Sequence, residues 1–246
     1  MSELEKTLAV KVCGLTREED VELCQDLGVD YTGFIFVPGS PRCITPEKAA
    51  GMPSGRALRV GVFAHQTVEE VSSIMKSANL DFAQLHGAES IEFCRRLGPE
   101  RIIRTFWPQR IFGEKFMTGQ DYGKDVDESV SGSAEFSGLL QAACEPFAEV
   151  CSLFLMDSGL GGGGSGQAQD WSLLKGFTSP RPWLLAGGIG PENAGQALEV
   201  CRPSGLDCNS GVESAPGIKD KGKLRQLMKN LYTNTISEHG HEKRVF

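Results

Sequence analysis

The sequence has no apolar run near the roughly 18 residues that a membrane span needs, so no crossing helix is expected. Its polar start, Met1-Ser2-Glu3, carries no signal-peptide core, and a cytoplasmic protein is expected. Positive charge is not in excess: 25 Lys and Arg stand against 32 Asp and Glu, a net charge of −7. Phosphate backbones are held by clustered basic groups, so nucleic acid is not an expected partner. The eight cysteines include no C-x-x-C pair, and no clustered metal-ligand spacing occurs, so neither a redox motif nor a metal site is expected. A chain this long builds a core without disulfides. Cys13, Cys24, Cys43, Cys94, Cys144, Cys151, Cys201 and Cys208 therefore read as reduced, mostly buried thiols.

What is present suits one large domain. The chain has 246 residues, 40% of them hydrophobic and 23% charged, which is enough apolar material for a sizeable core. Thirty glycines amount to about 12%, against a usual value near 7%. They gather in Gly159–Gly166, at Gly187-Gly188-Gly190 and at Gly211, each time after an apolar run. Glycine after a strand lets backbone amides approach a ligand, as in phosphate cradles.

Short apolar runs alternate with helical patterns along the chain. Strands are expected at 8–12, 31–37, 58–63, 82–85, 101–106, 152–156, 182–186 and 205–208. The spacing Thr16-Arg17-Glu18-Glu19 predicts a capping box, and Thr67-Val68-Glu69-Glu70 predicts another; Thr45-Pro46 predicts a cap with proline at the first helical position. Further helices are expected around Ile91–Leu97, Ser137–Val150, Pro191–Val200 and Lys219–Tyr232. Eight such strands imply parallel pairing and suit a single (β/α)8 TIM barrel over residues 1–232, in the α/β class. An open doubly wound sheet fits the same periodicity. Between strands five and six lies far more chain than the step requires. The polar, acidic stretch around 107–137 is expected as an enlarged loop, and its Gly/Ser-rich part at Thr118–Ser133 as a cover over a substrate. Residues 233–246 lack an apolar stripe and are expected as a flexible tail, with His239 and His241 in it.

Barrel enzymes carry their chemistry where the strands end. The strand ends here bring Cys13-Gly14, Ser40-Pro41-Arg42, His86, Arg104, Asp157, Gly162–Gly166, Gly187-Gly188 and Ser210-Gly211 to one rim. The last three are glycine- and serine-rich loops, the place such barrels commonly hold phosphate. Cys13 and Asp157 are then a thiol and a carboxyl on two sides of a small phosphorylated molecule. Position alone does not say which is acid and which is base. Arg104 fits an outward ion pair equally well.

The motifs Val10-Lys11-Val12-Cys13-Gly14-Leu15-Thr16, Gly33-Phe34-Ile35-Phe36, Ser40-Pro41-Arg42, Gln84-Leu85-His86-Gly87, Leu155-Met156-Asp157-Ser158, Gly163-Gly164-Ser165-Gly166 with Asp170-Trp171, Leu185-Ala186-Gly187-Gly188, and Asn209-Ser210-Gly211-Val212-Glu213 with Pro216-Gly217-Ile218-Lys219-Asp220 occur in one order over residues 8–232. In this the chain resembles the phosphoribosylanthranilate isomerase family of tryptophan biosynthesis. The resemblance implies a (β/α)8 barrel without cofactor. It implies the Amadori rearrangement of N-(5-phosphoribosyl)anthranilate, a small phosphorylated sugar–anthranilate substrate, to 1-(2-carboxyphenylamino)-1-deoxyribulose 5-phosphate. It also implies Asp157 as general acid, Cys13 as general base, and Arg42 as the contact for the anthranilate carboxylate; His86 reads equally as a substrate contact or as a satisfied rim histidine. Phosphate would be held by Gly164, Ser165, Gly166, Gly187, Gly188, Ser210 and Gly211. The acid must keep its proton near neutral pH, which partial burial would serve. The thiol must lose its own, which a helix N-terminus or a cation such as Arg42 would serve.

The glycine run is longer than the family's usual form, and Gln167 stands where many relatives carry Lys. Sister phosphosugar barrels place a carboxylate or lysine where Cys13 stands, which speaks against them. A purely binding barrel has no need of a matched thiol and carboxyl. Oligomeric state is not set by these features.

Overall fold

The computed structural model describes residues 8–108, 131–158 and 171–238. Its centre is a closed barrel of eight parallel strands in chain order. They are β1 (Ala9–Val12), β2 (Tyr31–Ile35), β3 (Leu58–Phe63), β4 (Phe82–Leu85), β5 (Ile102–Phe106), β6 (Leu153–Asp157), β7 (Trp183–Ala186) and β8 (Gly205–Cys208). β1 closes on β8 over the register Ala9↔Gly205 to Val12↔Cys208. That closure establishes the expected barrel and overturns the open sheet, which would have left two edges.

Outside the barrel run α1 (Glu18–Asp26), α2 (Pro46–Ala50), α3 (Val68–Ser77), α4 (Ile91–Leu97), α5 (Ser131–Cys144), α6 (Ala194–Cys201) and α7 (Lys221–Glu238). A small antiparallel hairpin, β9 (Glu213–Ala215) with β10 (Ile218–Lys219), follows the eighth barrel strand and was not anticipated. Among the described residues no helix is long and apolar enough to cross a membrane. All eight cysteines are free thiols, and only Cys43 is exposed.

Two of the three expected caps form. Thr67 accepts from the Glu70 backbone at 3.2 Å while the Glu70 carboxylate accepts from Thr67 N at 2.7 Å, a complete capping box. Thr45 caps α2, with Pro46 opening it. The box expected at Thr16 does not form. The N-cap of α1 is Arg17, without a side-chain cap, because the Thr16 hydroxyl donates to Gly217 O at 2.6 Å, in the hairpin. Other boundaries shift as well. The helix expected over Pro191–Val200 is Ala194–Cys201, since Asn193 is spent in the preceding turn. The helix expected from Lys219 starts at Lys221, because Lys219 belongs to the hairpin, and it runs on to Glu238. The chain expected as helix near Ser137–Val150 is α5 followed by a 3-10 turn over Glu145–Val150.

Strand side chains alternate between two faces, and the alternation sorts the barrel. Val10, Val12, Phe34, Phe63, Leu85, Ile102, Phe154 and Met156 point outward into the large core under the helices. Val60, Ile103, Leu153, Leu155, Leu184 and Ala186 fill the interior, and Cys13, Ile35 and Val62 form a smaller cluster further along the strands. Five buried polar side chains share this inner face: Lys11, Gln84, Thr105, Asp157 and Asp207.

Candidate active site

Cys13 directly follows β1, where its amide still donates to Cys208 O at 2.9 Å and so continues the closing ladder. Two residues back, on the same inward row, Lys11 is wholly buried with its ammonium 2.9 Å from Asp207 Oδ1. The Cys13 thiol is itself buried, and burial pushes its pKa up; the charge of Lys11 and hydrogen bonding to it are the foremost opposing influences. The cation expected to serve the thiol, Arg42, is engaged elsewhere. By contrast, Cys24, Cys144 and Cys201 are pushed up by burial to about 12, and their thiols stay protonated at any physiological pH.

Asp157 is the last residue of β6 and is 7% exposed. His86, just past β4, turns Nε2 toward its carboxyl, 3.7 Å from Oδ2. The other ring nitrogen of His86 lies 3.2 Å from Thr105 Oγ1 and 3.4 Å from Gln84 Nε2, and the ring stands edge-on to Trp107 with centroids 4.8 Å apart. Inner-face side chains of β4 and β5 thus hold the histidine against the end of β6.

Arg42 follows β2 and is buried, with one edge of its guanidinium closed on Glu213. Nε lies 2.9 Å from Oε1, and Nη2 lies 2.6 Å from Oε2. Glu213 also accepts from the Lys219 ammonium at 2.8 Å and from Gly217 N at 3.1 Å. Burial pushes the Glu213 carboxyl up, but the Arg42 hydrogen bonds and the Lys219 charge outweigh it and hold the group below the usual carboxylate range. Bonding through Nε and Nη2 leaves Nη1 pointing away from Glu213, so a second carboxylate would meet the guanidinium end-on.

The loops after β7 and β8 pack on one another. Gly187 and Gly188 have φ of +104° and +66°. The Asn193 side chain ties their turn by donating to Gly188 O at 3.0 Å and accepting from Gly190 N at 2.8 Å. Ser210 and Gly211 lie in a 3-10 turn whose glycine faces the Ile189 carbonyl so closely that a Cβ on Gly211 would sit 2.1 Å from that oxygen. Gly164, Ser165 and Gly166 lie outside the described residues, as do Thr118–130, His239 and His241. The flanks of the glycine run meet, however: Trp171 Nε1 donates to Ser158 Oγ at 3.3 Å, and Ser158 Oγ donates to Ala186 O at 2.9 Å.

The structure therefore brings Cys13, Asp157, Arg42, His86 and the loops at Gly187-Gly188 and Ser210-Gly211 to the same end of the barrel. Arg104 is not among them. It points outward, pairs with Glu89 at 3.2 Å and lies over the Phe106 and Phe147 rings, as its odd-even position on β5 demands. Lys11, Asp207, Glu213 and Lys219 were not assigned roles from sequence. Strand parity with Cys13 was the available signal for Lys11, whereas nothing local marks Glu213.

A closed parallel barrel with a thiol, a carboxyl and paired glycine loops at the C-terminal ends of its strands defines the class of (β/α)8-barrel enzymes. The family model described as N-(5'phosphoribosyl)anthranilate (PRA) isomerase matches residues 10–133 and 114–230. A relative from Desulfovibrio desulfuricans, named N-(5'-phosphoribosyl)anthranilate isomerase, is 45% identical over 217 residues, covering 88% of this chain and 92% of its own. The crystal structure of phosphoribosyl anthranilate isomerase from Thermotoga maritima aligns with a TM-score of 0.73 at 31% identity, over 92% of this chain and 99% of that one. Another structure of the enzyme, in complex with reduced 1-(o-carboxyphenylamino)-1-deoxyribulose 5-phosphate, aligns with a TM-score of 0.69 at 29% identity, over 92% and 99%. The chain belongs to the PRA isomerase family.

Proposed function

We propose that Asp157 and Cys13 perform the acid and base steps of this chain's isomerase reaction, the Amadori rearrangement of N-(5-phosphoribosyl)anthranilate in tryptophan biosynthesis. Asp157 gives a proton to the furanose ring oxygen while the anthranilate nitrogen forms a double bond to C1 and the C1–O bond breaks. The Cys13 thiolate then takes the proton from C2. The electron pair flows to the iminium nitrogen and leaves an enolamine. A proton gained at C1 and one lost from the C2 hydroxyl complete the ketone.

The observation that carries this reading is the placement of the two groups. Cys13 and Asp157 end or follow inward-facing strand rows at one barrel mouth, on strands separated by β7 and β8. Asp157 is buried at the barrel mouth, and the neighbouring His86 provides a substrate contact beside it. The open end of the Arg42 guanidinium suits the anthranilate carboxylate. Phosphate is assigned to Gly187, Gly188, Ser210 and Gly211, with Gly164, Ser165 and Gly166. The ligand named in the related structure, a reduced form of the product, supports a substrate of this class.

Steady-state kinetics of Cys13→Ala and Asp157→Asn test the assignment. Each is expected to lower kcat by about 10²–10⁴-fold, the usual worth of positioned acid–base catalysis, with KM little changed. A variant that keeps wild-type kcat removes its residue from the mechanism.

A further inference from the structure

We propose that Lys11, clamped by Asp207, is a positioning residue for Cys13: its buried ammonium is the counter-charge that allows the thiol to ionise inside a closed barrel. The inference deepens the reading of Cys13 as base and rests on it.

The argument begins with what Lys11 displaces. Around it the barrel interior holds the apolar side chains Val60, Ile103, Leu153, Leu155, Leu184 and Ala186, and its other buried polar side chains, Gln84, Thr105, Asp157 and Asp207, carry no positive charge. Lys11 is nevertheless wholly buried, among the largest such side chains in the protein. An apolar residue of similar length would fill that space without stripping water from a charge, and such replacements are often neutral or stabilising. Packing therefore gives no reason for an ammonium at this point.

Its position does give one. Lys11 and Cys13 are two residues apart on one strand, so both point into the barrel. Asp207 pairs with Lys11 in the β1–β8 register and takes its ammonium at 2.9 Å, which fixes the charge on the inner face below the thiol. Four charged groups bear on this cluster. Lys11 on β1 and Lys219 on β10 favour the thiolate, and Asp207 on β8 opposes it. Arg42, after β2, also senses the sulfur, but its nearer partner is Glu213. Burial raises the cost of the thiolate, and Lys11 is the main influence set against it. When Cys13 ionises, its proton passes to water at the barrel mouth and the thiolate is then ready for the C2 hydrogen. Asp207 has a double part, holding the lysine while moderating its effect.

The test is a pH titration of the far-ultraviolet thiolate absorbance of the full chain, taken as the difference from the matching Cys13→Ser variant so that the other cysteines cancel. In Lys11→Met the midpoint is expected to rise by about one pH unit or more, a roughly tenfold loss of thiolate below the midpoint. The acid limb of kcat/KM should move with it. Lys11→Arg should restore the wild-type midpoint. Asp207→Asn should move it the other way, because a neutral amide no longer opposes the thiolate. If Lys11→Met does not fold, Lys11→Met with Asp207→Asn leaves no lone buried charge, and its midpoint should still lie above wild type. A midpoint unmoved in a folded Lys11→Met, or moved in the same direction by both single changes, overturns the proposal. Full turnover by Cys13→Ser would instead overturn the base assignment, whatever the titrations show.

Discussion

Gly33 lies on β2 against Cys13, and the space between them is closed. A Cβ on Gly33 would stand 2.8 Å from the Cys13 sulfur and 3.0 Å from its Cα. The paired strand backbone cannot give way, so the methyl of Gly33→Ala must displace the sulfur from its inward aim. A misplacement near 1 Å can cost about 10²-fold in rate. Gly33→Ala is expected to lower kcat/KM by that order while the far-ultraviolet circular dichroism spectrum stays that of the barrel. Unchanged kcat/KM would show that thiol placement is loose. Residue placement at the barrel mouth was legible where strand ends could be read. Cys13 and Asp157 stood at strand ends, and the motif around each was intact. The partners of these groups were less so: Glu213 meets Arg42 across 171 positions, a distance that no spacing rule spans.

Capping at the level of elements shows the same division. Thr67 and Thr16 stand in like spacings, S/T-x-x-E, yet only Thr67 caps its helix. The difference is tertiary, since Gly217 O lies within reach of the Thr16 hydroxyl and gives it a competing acceptor 201 positions away. Thr67→Ala should therefore cost about 1 kcal/mol through α3 alone, lowering Tm by roughly 2–4 °C in a domain of this size. Thermal unfolding followed by circular dichroism checks this; a shift below 1 °C, as a rough bound, would mean that the box contributes little. Strand order and alternation were the most legible features, because burial imposes a period of two on every barrel strand. The hairpin of β9 and β10 was invisible. Its five strand residues carry little apolar pattern, and its cohesion comes from Glu213, Lys219 and the contacts of Asp20 and Thr16 with it.

At the scale of the molecule, the Arg42–Glu213–Lys219 cluster joins the β2 end to the hairpin after β8. Its carboxylate has a lower pKa in the folded chain than in the unfolded one. The stabilisation is therefore complete above the ordinary carboxylate value near 4.3 and is lost as pH falls through the lowered folded value. Urea midpoints of the native chain should fall more steeply below about pH 5 than those of Glu213→Gln, which has no carboxyl there to protonate. Equal slopes would assign the acid sensitivity to other groups. At neutral pH the same substitution leaves two buried cations without their anion, and it should destabilise the fold by about 3 kcal/mol.

The contact between Lys11 and Asp207 spans 196 positions and lies on the seam where the first strand meets the last. A nascent chain that has not yet made residue 207 carries the lysine but not the carboxylate that shelters it. Every truncated or half-synthesised form thus has a reason in its own charge to leave the first strand in water. The buried charge on the first strand thus gains its partner only when the eighth strand closes the barrel.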